Sequence, residues 1–598
     1  MKNFLKQVFA VIVGMTIFQV IATIIAFVFI AAIVATLDEA ATDTFSSNTE
    51  IEVNDNSVLW MDLSYPIMDK RGFTDFDILA ASEMPQEQLG LRDIMLTIDK
   101  AKYDERVEGI HLPLSFVQTG YANVDAIRRA LLDFKDSGKF ITAYGEVVSQ
   151  KAYYLASVAD DIYVNPKGIV ELRGIGTRLT FFKKLLEEKL DAEVRVFKVG
   201  TFKSAVEPFI REDISEENRQ QLEFLLGGIK EDFLQNISDA RGISTTEFDE
   251  ILNTLAIRNT QDAVDANLID GAWYYDEVLA DLKERTGTAG DEKLEYIEMG
   301  DYYYSAADID ESGDYNIAVL YAEGDIVDGK GDELSIGSAK YAKEIKELRE
   351  DDNVDAIVFR INSGGGSALA SEVIWREVIL TKEVKPFVVS MGNVAASGGY
   401  YIACDADRIF AEENTITGSI GVFGLMPNLE DFFANKVGVT FDDVKLNEHA
   451  TFDGLTKGLD DYEAMVIQQS VNEVYETFTS RVAEGREMEI DTVKKYAEGR
   501  VWTGEQALEI GFVDELGGLN DALNYTAEMA GHENYKVTEY PAIRGPFEEF
   551  MEGLGGNTKE TILKKEMGEY YQYLEQIKRL DEMQKGVQTR LPYQLEIN

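Results

Sequence analysis

The chain has 598 residues, 45% hydrophobic and 11% aromatic, which is enough apolar mass for more than one packed domain and too much for a disordered chain. Its 108 acidic against 57 basic residues leave a formal charge of −51, the opposite of what a nucleic-acid backbone attracts, so no nucleic-acid partner is expected. Cys404 is the single cysteine, which excludes an intrachain disulfide and a Cys-based zinc site.

From Val8 to Leu37 no charged residue occurs, and the run exceeds the roughly 20 apolar residues that span a bilayer as a helix. Lys2 and Lys6 precede it while Asp38 and Glu39 follow, so the N-terminus is expected in the cytoplasm and the bulk of the chain outside. A cleaved signal peptide has an apolar region of about 7–15 residues. Residues 1–40 therefore read as an uncleaved anchor that holds the lipid bilayer through residues 8–37.

Beyond the anchor the chain repeats itself. KAYYLASVADDIYVNPKGIVELRGIG from Lys151 lies over GGYYIACDADRIFAEENTITGSIGVFG from Gly398 at a spacing of 247 residues, Tyr153 on Tyr400. The same spacing sets Gly109 on Ala356, Phe140 on Phe387 and Lys189 on Lys436; further on, Leu268-Ile269-Asp270 meets Phe512-Val513-Asp514 at 244. This predicts a tandem duplication, residues 41–300 and 301–545, with a helical tail over 546–598.

Each copy reads as strand, helix, strand, helix: EGIHLPL, YANVDAIRRALLDF, KFITAYG and AYYLASVAD, then VDAIVFRI, ALASEVIWREVIL, PFVVSMG and GYYIACDA. Short apolar runs alternating with amphipathic helical stretches predict right-handed βαβ units and an α/β fold with a mostly parallel sheet. ENRQQLEFLLGGIKEDFLQNISDARG after Ser215 reads as one long helix, with its counterpart from Asp460 to Gly485.

Two glycine-rich segments of the second copy, RINSGGGSALASEV from Arg360 and MGNVAASGGYYIA from Met391, each follow a strand and open a helix. Free N–H groups at such junctions suit an anion or an oxyanion. GGGSALA lacks the dinucleotide spacing and no G-K-[ST] follows, while AASGG does not match G-x-S-x-G. An oxyanion hole remains, with Ser397 immediately before the Gly398 N–H. A serine nucleophile needs a base, and the only three histidines, His111, His449 and His532, are not placed beside Ser397 by anything in the sequence. A lysine can replace histidine if burial lowers its pKa from about 10.4 toward neutrality.

VGTFKSAVEPFIREDIS, Val199 to Ser215, and MGNVAASGGYYIA resemble the lysine and serine motifs of the signal peptide peptidase A, or protease IV, family in its long, duplicated form. The resemblance runs from the anchor to about residue 545. It implies a ClpP/crotonase-like fold, Lys203 as general base, Ser397 as nucleophile and Ser419 as a hydroxyl that supports the lysine. It also implies that the family's NSPGG loop is Asn362 to Gly366, glycine replacing proline at Gly364, with Gly398 and Gly365 or Gly366 holding the oxyanion. No metal or other cofactor is required. The implied partners are cleaved signal peptides and other apolar or unfolded segments, and the implied assembly is a bowl-shaped homotetramer on the outer side of a bacterial inner membrane.

The repeat adds its own argument. Ser397 corresponds to Gln150, Lys203 to Ala450, and Ser363-Gly364-Gly365-Gly366 to Phe116-Val117-Gln118-Thr119. Neither copy holds both groups, so a dyad would have to form between copies, within one chain or between subunits. Two alternatives are a crotonase-like enzyme of acyl thioesters, which export disfavours, and a membrane scaffold without turnover.

Overall fold

The computed structural model describes residues 51–73, 87–305, 313–332, 334–542, 583, 586–591 and 597. The anchor read over residues 8–37 lies outside them, and among the described residues no helix is long and apolar enough to cross a membrane. Both repeats belong to one compact unit, Val53–Gly72, Gln88–Ala542 and Gln572–Asn598. Of a second unit, only Ile51, Glu52, Phe73 and Glu87 are described.

Each repeat is built on a mainly parallel sheet. In the first, six strands run in the order Gly271–Ala272, Asp161–Val170, Phe140–Val148, Val107–Leu114, Ser57–Trp60, Tyr296–Glu298, all parallel. In the second, the path is Val501–Thr503, Ile416–Gly418, Phe387–Ala396, Ala356–Ser363, Tyr315–Glu323, Tyr535–Tyr540, with Arg408–Ala411 paired to Phe387–Ala396 as well. The strands read as near-continuous apolar runs because helices cover both faces. Along Tyr315–Glu323, Ile317, Val319 and Tyr321 pack with Leu519, Ala522 and Leu523, while Ala318, Leu320 and Ala322 pack with Tyr341, Ile345 and Ile374. That alternation is the period of two of a pleated strand.

The four elements read in each copy fall where expected: Val107–Leu114, Tyr121–Lys135, Phe140–Val148 and Gln150–Ala156, then Ala356–Ser363, Ala368–Lys382, Phe387–Ala396 and Gly398–Ala403. The long helices are Glu216–Arg241 and Asp461–Gly485. Each begins where a side chain satisfies the first free N–H groups: Ser215 accepts from Asn218, and Asp460 exchanges bonds with Glu463 in a capping box.

The duplication extends to side-chain contacts. Tyr153 donates to Leu268 O at 2.8 Å and Tyr400 to Phe512 O at 2.9 Å. Their neighbours Tyr154 and Tyr401 donate to Asp125 and Glu372, which are also 247 residues apart. Tyr400 and Tyr401 thus serve the core, as their matches in the other copy imply.

A third sheet joins the copies. Its order is Ser335–Gly337, Asp325–Val327, Gly365–Ser367, Gln588–Arg590, Val422–Asn428, Glu193–Val199, so a first-repeat strand lies antiparallel against a second-repeat strand, Val199 opposite Val422. The helical tail read over 546–598 lies, through residue 582, outside the described residues; near its end Gln588–Arg590 is a strand. Three residues carry no usable period, and their conformation is set by partners more than 150 residues away in the chain.

Candidate active site

Ser397 stands at the junction between Phe387–Ala396 and the short helix Gly398–Ala403, with φ 56° and ψ −112°. That backbone is unfavourable for a residue with a Cβ. It is held there by its own N–H on Gly418 O at 2.7 Å. The glycines beyond it are required by close approach: a Cβ on Gly399 would lie 2.6 Å from Ser363 O, and one on Gly398 3.0 Å from Gly365 Cα. The two glycine segments are therefore in van der Waals contact.

Lys203 arrives from the other repeat. After Glu193–Val199 the chain turns at Gly200, φ 107°, and Phe202 N–H donates to Glu498 O at 2.9 Å. The lysine backbone packs on Gly499, where a Cβ would stand 2.7 Å from Lys203 Cα, and a Cβ on Gly421 would stand 3.2 Å from Lys203 Cδ. Neither Gly499 nor Gly421 was flagged by sequence. Their role is space left for a neighbour distant in the chain, which no local pattern encodes.

Both reactive groups are fully buried, Lys203 at 0% and Ser397 at 0% exposure. Lys203 Nζ lies 2.8 Å from Ser397 Oγ, 3.1 Å from Ser419 Oγ and 3.1 Å from Ser419 O. Burial pulls the amine well below its ordinary pKa, because a desolvated ammonium loses its hydration. A neutral amine has two hydrogens and one lone pair. In a neutral amine, hydrogens directed at Ser419 O and Oγ, the latter donating to Gly499 O at 3.2 Å, would leave the lone pair for the Ser397 hydroxyl. Such an amine can accept that proton. Ser419 is itself held at φ 49°, its N–H on Arg500 O at 2.7 Å.

The glycine loop lies alongside. Gly365 has φ 95°, and its N–H donates to Ser363 Oγ at 3.1 Å, which in turn donates to Gly324 O at 2.7 Å. Beneath the loop, Asn362 accepts from Val394 N at 3.2 Å and donates to Glu323 at 3.1 Å. Burial and the nearby Asp69 push the Glu323 carboxyl up to about 8. Arg360 binds Asp69 at 2.8 Å, Met391 O at 2.7 Å and Ser390 Oγ at 2.9 Å, tying the loop's strand to its neighbour and to the segment before residue 73.

The histidines are engaged elsewhere. His111 Nδ1 is 2.9 Å from Thr142 Oγ1, and burial lowers its pKa to about 3; His532 stacks on Tyr315 with centroids 4.4 Å apart. His449, Asp460 and Glu463 bring potential ligand atoms within 4.8 Å of one another, but Asp460 and Glu463 form the capping box already described. In the first copy Gln150 stands in place of the serine, and its Oε1 accepts from Arg173 N at 2.9 Å and Gly174 N at 2.8 Å. An amide there consolidates backbone and offers no nucleophile.

Each sequence-selected group, Ser397, Lys203, Ser419, Gly398, Gly365 and Gly366, thus falls in one region, built from both repeats of one chain. A buried serine hydroxyl against a buried amine beside a glycine loop defines a hydrolase-type site. Peptidase family S49 matches residues 133–288 and 379–533, one match in each repeat, and the chain belongs to that family of serine proteases. It is 35% identical over 519 residues to Protease 4 of Salmonella typhi, spanning 84% of this chain and 83% of that protein. To the chloroplastic serine protease SPPA of Arabidopsis thaliana it is 34% identical over 462 residues, 75% of this chain and 67% of that protein. Among solved structures, ClpP1 from Listeria monocytogenes matches 34% of this chain and 94% of its own at 18% identity and a TM-score of 0.23.

Proposed function

We propose that the chain is a membrane-anchored Ser/Lys endopeptidase, with Ser397 as nucleophile and Lys203 as general base, that degrades cleaved signal peptides and other apolar segments at the membrane. The observation that carries this reading is the 2.8 Å separation of Lys203 Nζ and Ser397 Oγ in a site from which both are fully withdrawn from solvent. Lys203 takes the Ser397 proton as the oxygen attacks the peptide carbonyl, Ser419 orienting the amine through its two oxygens. The N–H groups of Gly398 and Gly366 receive the oxyanion, since that of Gly365 is engaged by Ser363. Lys203 then protonates the leaving amine, and a water deprotonated by the same lysine releases the acyl group.

The apolar run from Val8 to Leu37 supports an anchor with the site on the outer side of a bacterial inner membrane, within reach of peptides left in the bilayer. A homotetramer with its sites facing a shared interior belongs to the same proposal. A fluorogenic signal-peptide-like substrate tests the chemistry: Ser397→Ala and Lys203→Ala should each abolish hydrolysis with the circular dichroism spectrum unchanged. Undiminished turnover by either variant refutes the assignment.

A further inference from the structure

The glycine loop rests on the end of the strand Tyr315–Glu323. Glu323 stands opposite Asn362 in the parallel register, and its Oε1 accepts from Asn362 Nδ2 at 3.1 Å. The next residue carries the rest of the loop. Gly324 N–H donates to Asn362 O at 3.1 Å, and Gly324 O accepts from Ser363 Oγ at 2.7 Å, the same hydroxyl that receives the Gly365 N–H. Gly324 has φ 102° and a Cβ there would lie 2.0 Å from Leu334 O, so the support leaves no slack from below. Asn362 Oδ1, which accepts from Val394 N at 3.2 Å, ties the same amide to the strand that leads into Ser397.

The charges around Glu323 do not balance. The buried Arg360 donates to Asp69 Oδ1 through Nη2 at 2.8 Å and Nε at 3.2 Å, so one guanidinium serves two carboxyls. The other Asp69 oxygen lies against Gly392, where a Cβ would stand 2.8 Å from it and 3.0 Å from Asn362 Cβ, and it meets no hydrogen-bond donor among the described residues. The surrounding charges are committed elsewhere. Lys70 donates to Pro541 O, Arg71 pairs with Asp93 at 3.5 Å, Arg92 with Glu539 at 3.6 Å and Arg590 with Asp325 at 3.1 Å. On the helix Ser338–Glu350, Glu344 interacts with Glu347, Lys343, Lys340 and Lys70.

Two carboxyls, one cation and an acceptor without a donor are neutralised by one added proton. Burial and Asp69 both favour that proton on Glu323, while the bonds from Asn362 and the Asp69 N–H and the attraction of Arg360 oppose it and are outweighed.

We propose that Glu323 is a positioning residue of the oxyanion loop: as an uncharged acid it holds the Asn362 amide, and through it the Gly366 N–H, and on ionising it lets go of both. The inference rests on the assignment of Ser397, Lys203 and the Gly398 and Gly366 N–H groups to the active site. Glu323 is only half-buried, so water reaches it from one side. A carboxylate formed beside Asp69 lowers its energy by turning to that water, and Asn362 then loses its acceptor. An oxyanion donor has to be held within about 0.5 Å of its place, and one such donor is worth about 10²–10³ in kcat. Two groups thus bound the active pH range from opposite sides: Lys203 must have lost its proton and Glu323 must have kept its own.

The test is the pH profile of kcat/KM on a fluorogenic signal-peptide-like substrate. Wild-type activity should fall with unit slope above about pH 8. Glu323→Gln, whose amide oxygen still accepts from Asn362 and cannot ionise, should keep the acid limb and lose the alkaline one. Glu323→Ala should lower kcat about tenfold at neutral pH with KM within about twofold of wild type, and Glu323→Gln should recover most of that loss. A packing role alone would lower activity without moving the alkaline limb. An alkaline limb that stays in place in Glu323→Gln, or is missing from the wild type, overturns the proposal. A second measurement needs no turnover. The unfolded chain gives up this proton near the ordinary glutamate pKa of about 4.3 and the folded chain near 8, so wild-type stability falls as pH rises between the two. The urea midpoint of the wild type, relative to that of Glu323→Gln, should therefore drop from about pH 5 to about pH 9; parallel midpoints overturn the proposal. No hydrolysis by the wild type, with midpoints that diverge, sinks the protease reading and the positioning role with it. Normal hydrolysis whose alkaline limb persists in Glu323→Gln leaves the protease reading standing and removes Glu323 from it.

Discussion

At Lys203 the chemistry and the stability of the fold oppose each other. Burial holds the amine well below the pKa it has in the unfolded chain, so between the two the unfolded state binds the extra proton and folding is disfavoured to that extent. Stability from this group therefore rises as pH climbs toward the ordinary lysine pKa of about 10.4. Lys203→Met should reduce kcat/KM by about 10⁴-fold or more while calorimetry finds the thermal midpoint unchanged or higher. With Lys203 as the proposed base, the same depressed pKa sets the acid limb of activity. As pH falls through it the lone pair is lost, so log kcat/KM on a fluorogenic peptide should fall with unit slope, and a flat acid side would show that another group is the base. Ser397 was legible as a candidate because a serine stood between a strand and a Gly-Gly helix start; Lys203 required the family motif, since one lysine among SAVEPF carries no sign of its burial.

Elements aim these two groups. The Glu193–Val199 strand delivers the lysine by pairing with Val422–Asn428, and the turn at Gly499 closes on its backbone. Gly499 has φ 80° and no room for a Cβ, so Gly499→Ala should shift the amine and lower kcat by about 10²-fold with little change in the far-ultraviolet circular dichroism. The long helix Asp461–Gly485 depends on its capping box, and Asp460→Ala should lower unfolding stability by about 1 kcal/mol, read from the urea midpoint at unchanged m-value. Both long helices and all four leading elements of each repeat were legible, because helical and strand periods persist over enough residues to be counted. Gln588–Arg590 was not, because so short a strand is specified by the edges that receive it.

Across the whole molecule the site exists only because two diverged copies face each other. Lys203 and Ser397 meet within one chain, so mixing Ser397→Ala with Lys203→Ala protein should restore no hydrolysis, whereas a dyad shared between subunits would regain a fraction of it. Arg360 and Asp69, 1% and 2% exposed, join the segment before residue 73 to the second repeat. Arg360→Met would leave the carboxylate buried without its partner, at a cost of about 3–5 kcal/mol measurable by chemical denaturation.

By itself the sequence determined the duplication, the α/β class, the order of strands and helices, and the division of serine and lysine between copies, because repeats and periodicities are written along the chain. Tertiary structure alone decided that the amine is buried beside Ser397 and Ser419, that the Gly365 N–H is donated to Ser363, and that Gln588–Arg590 is a strand between Gly365–Ser367 and Val422–Asn428. Those facts are desolvation, hydrogen-bond direction and strand neighbours, and each depends on groups that only folding brings together.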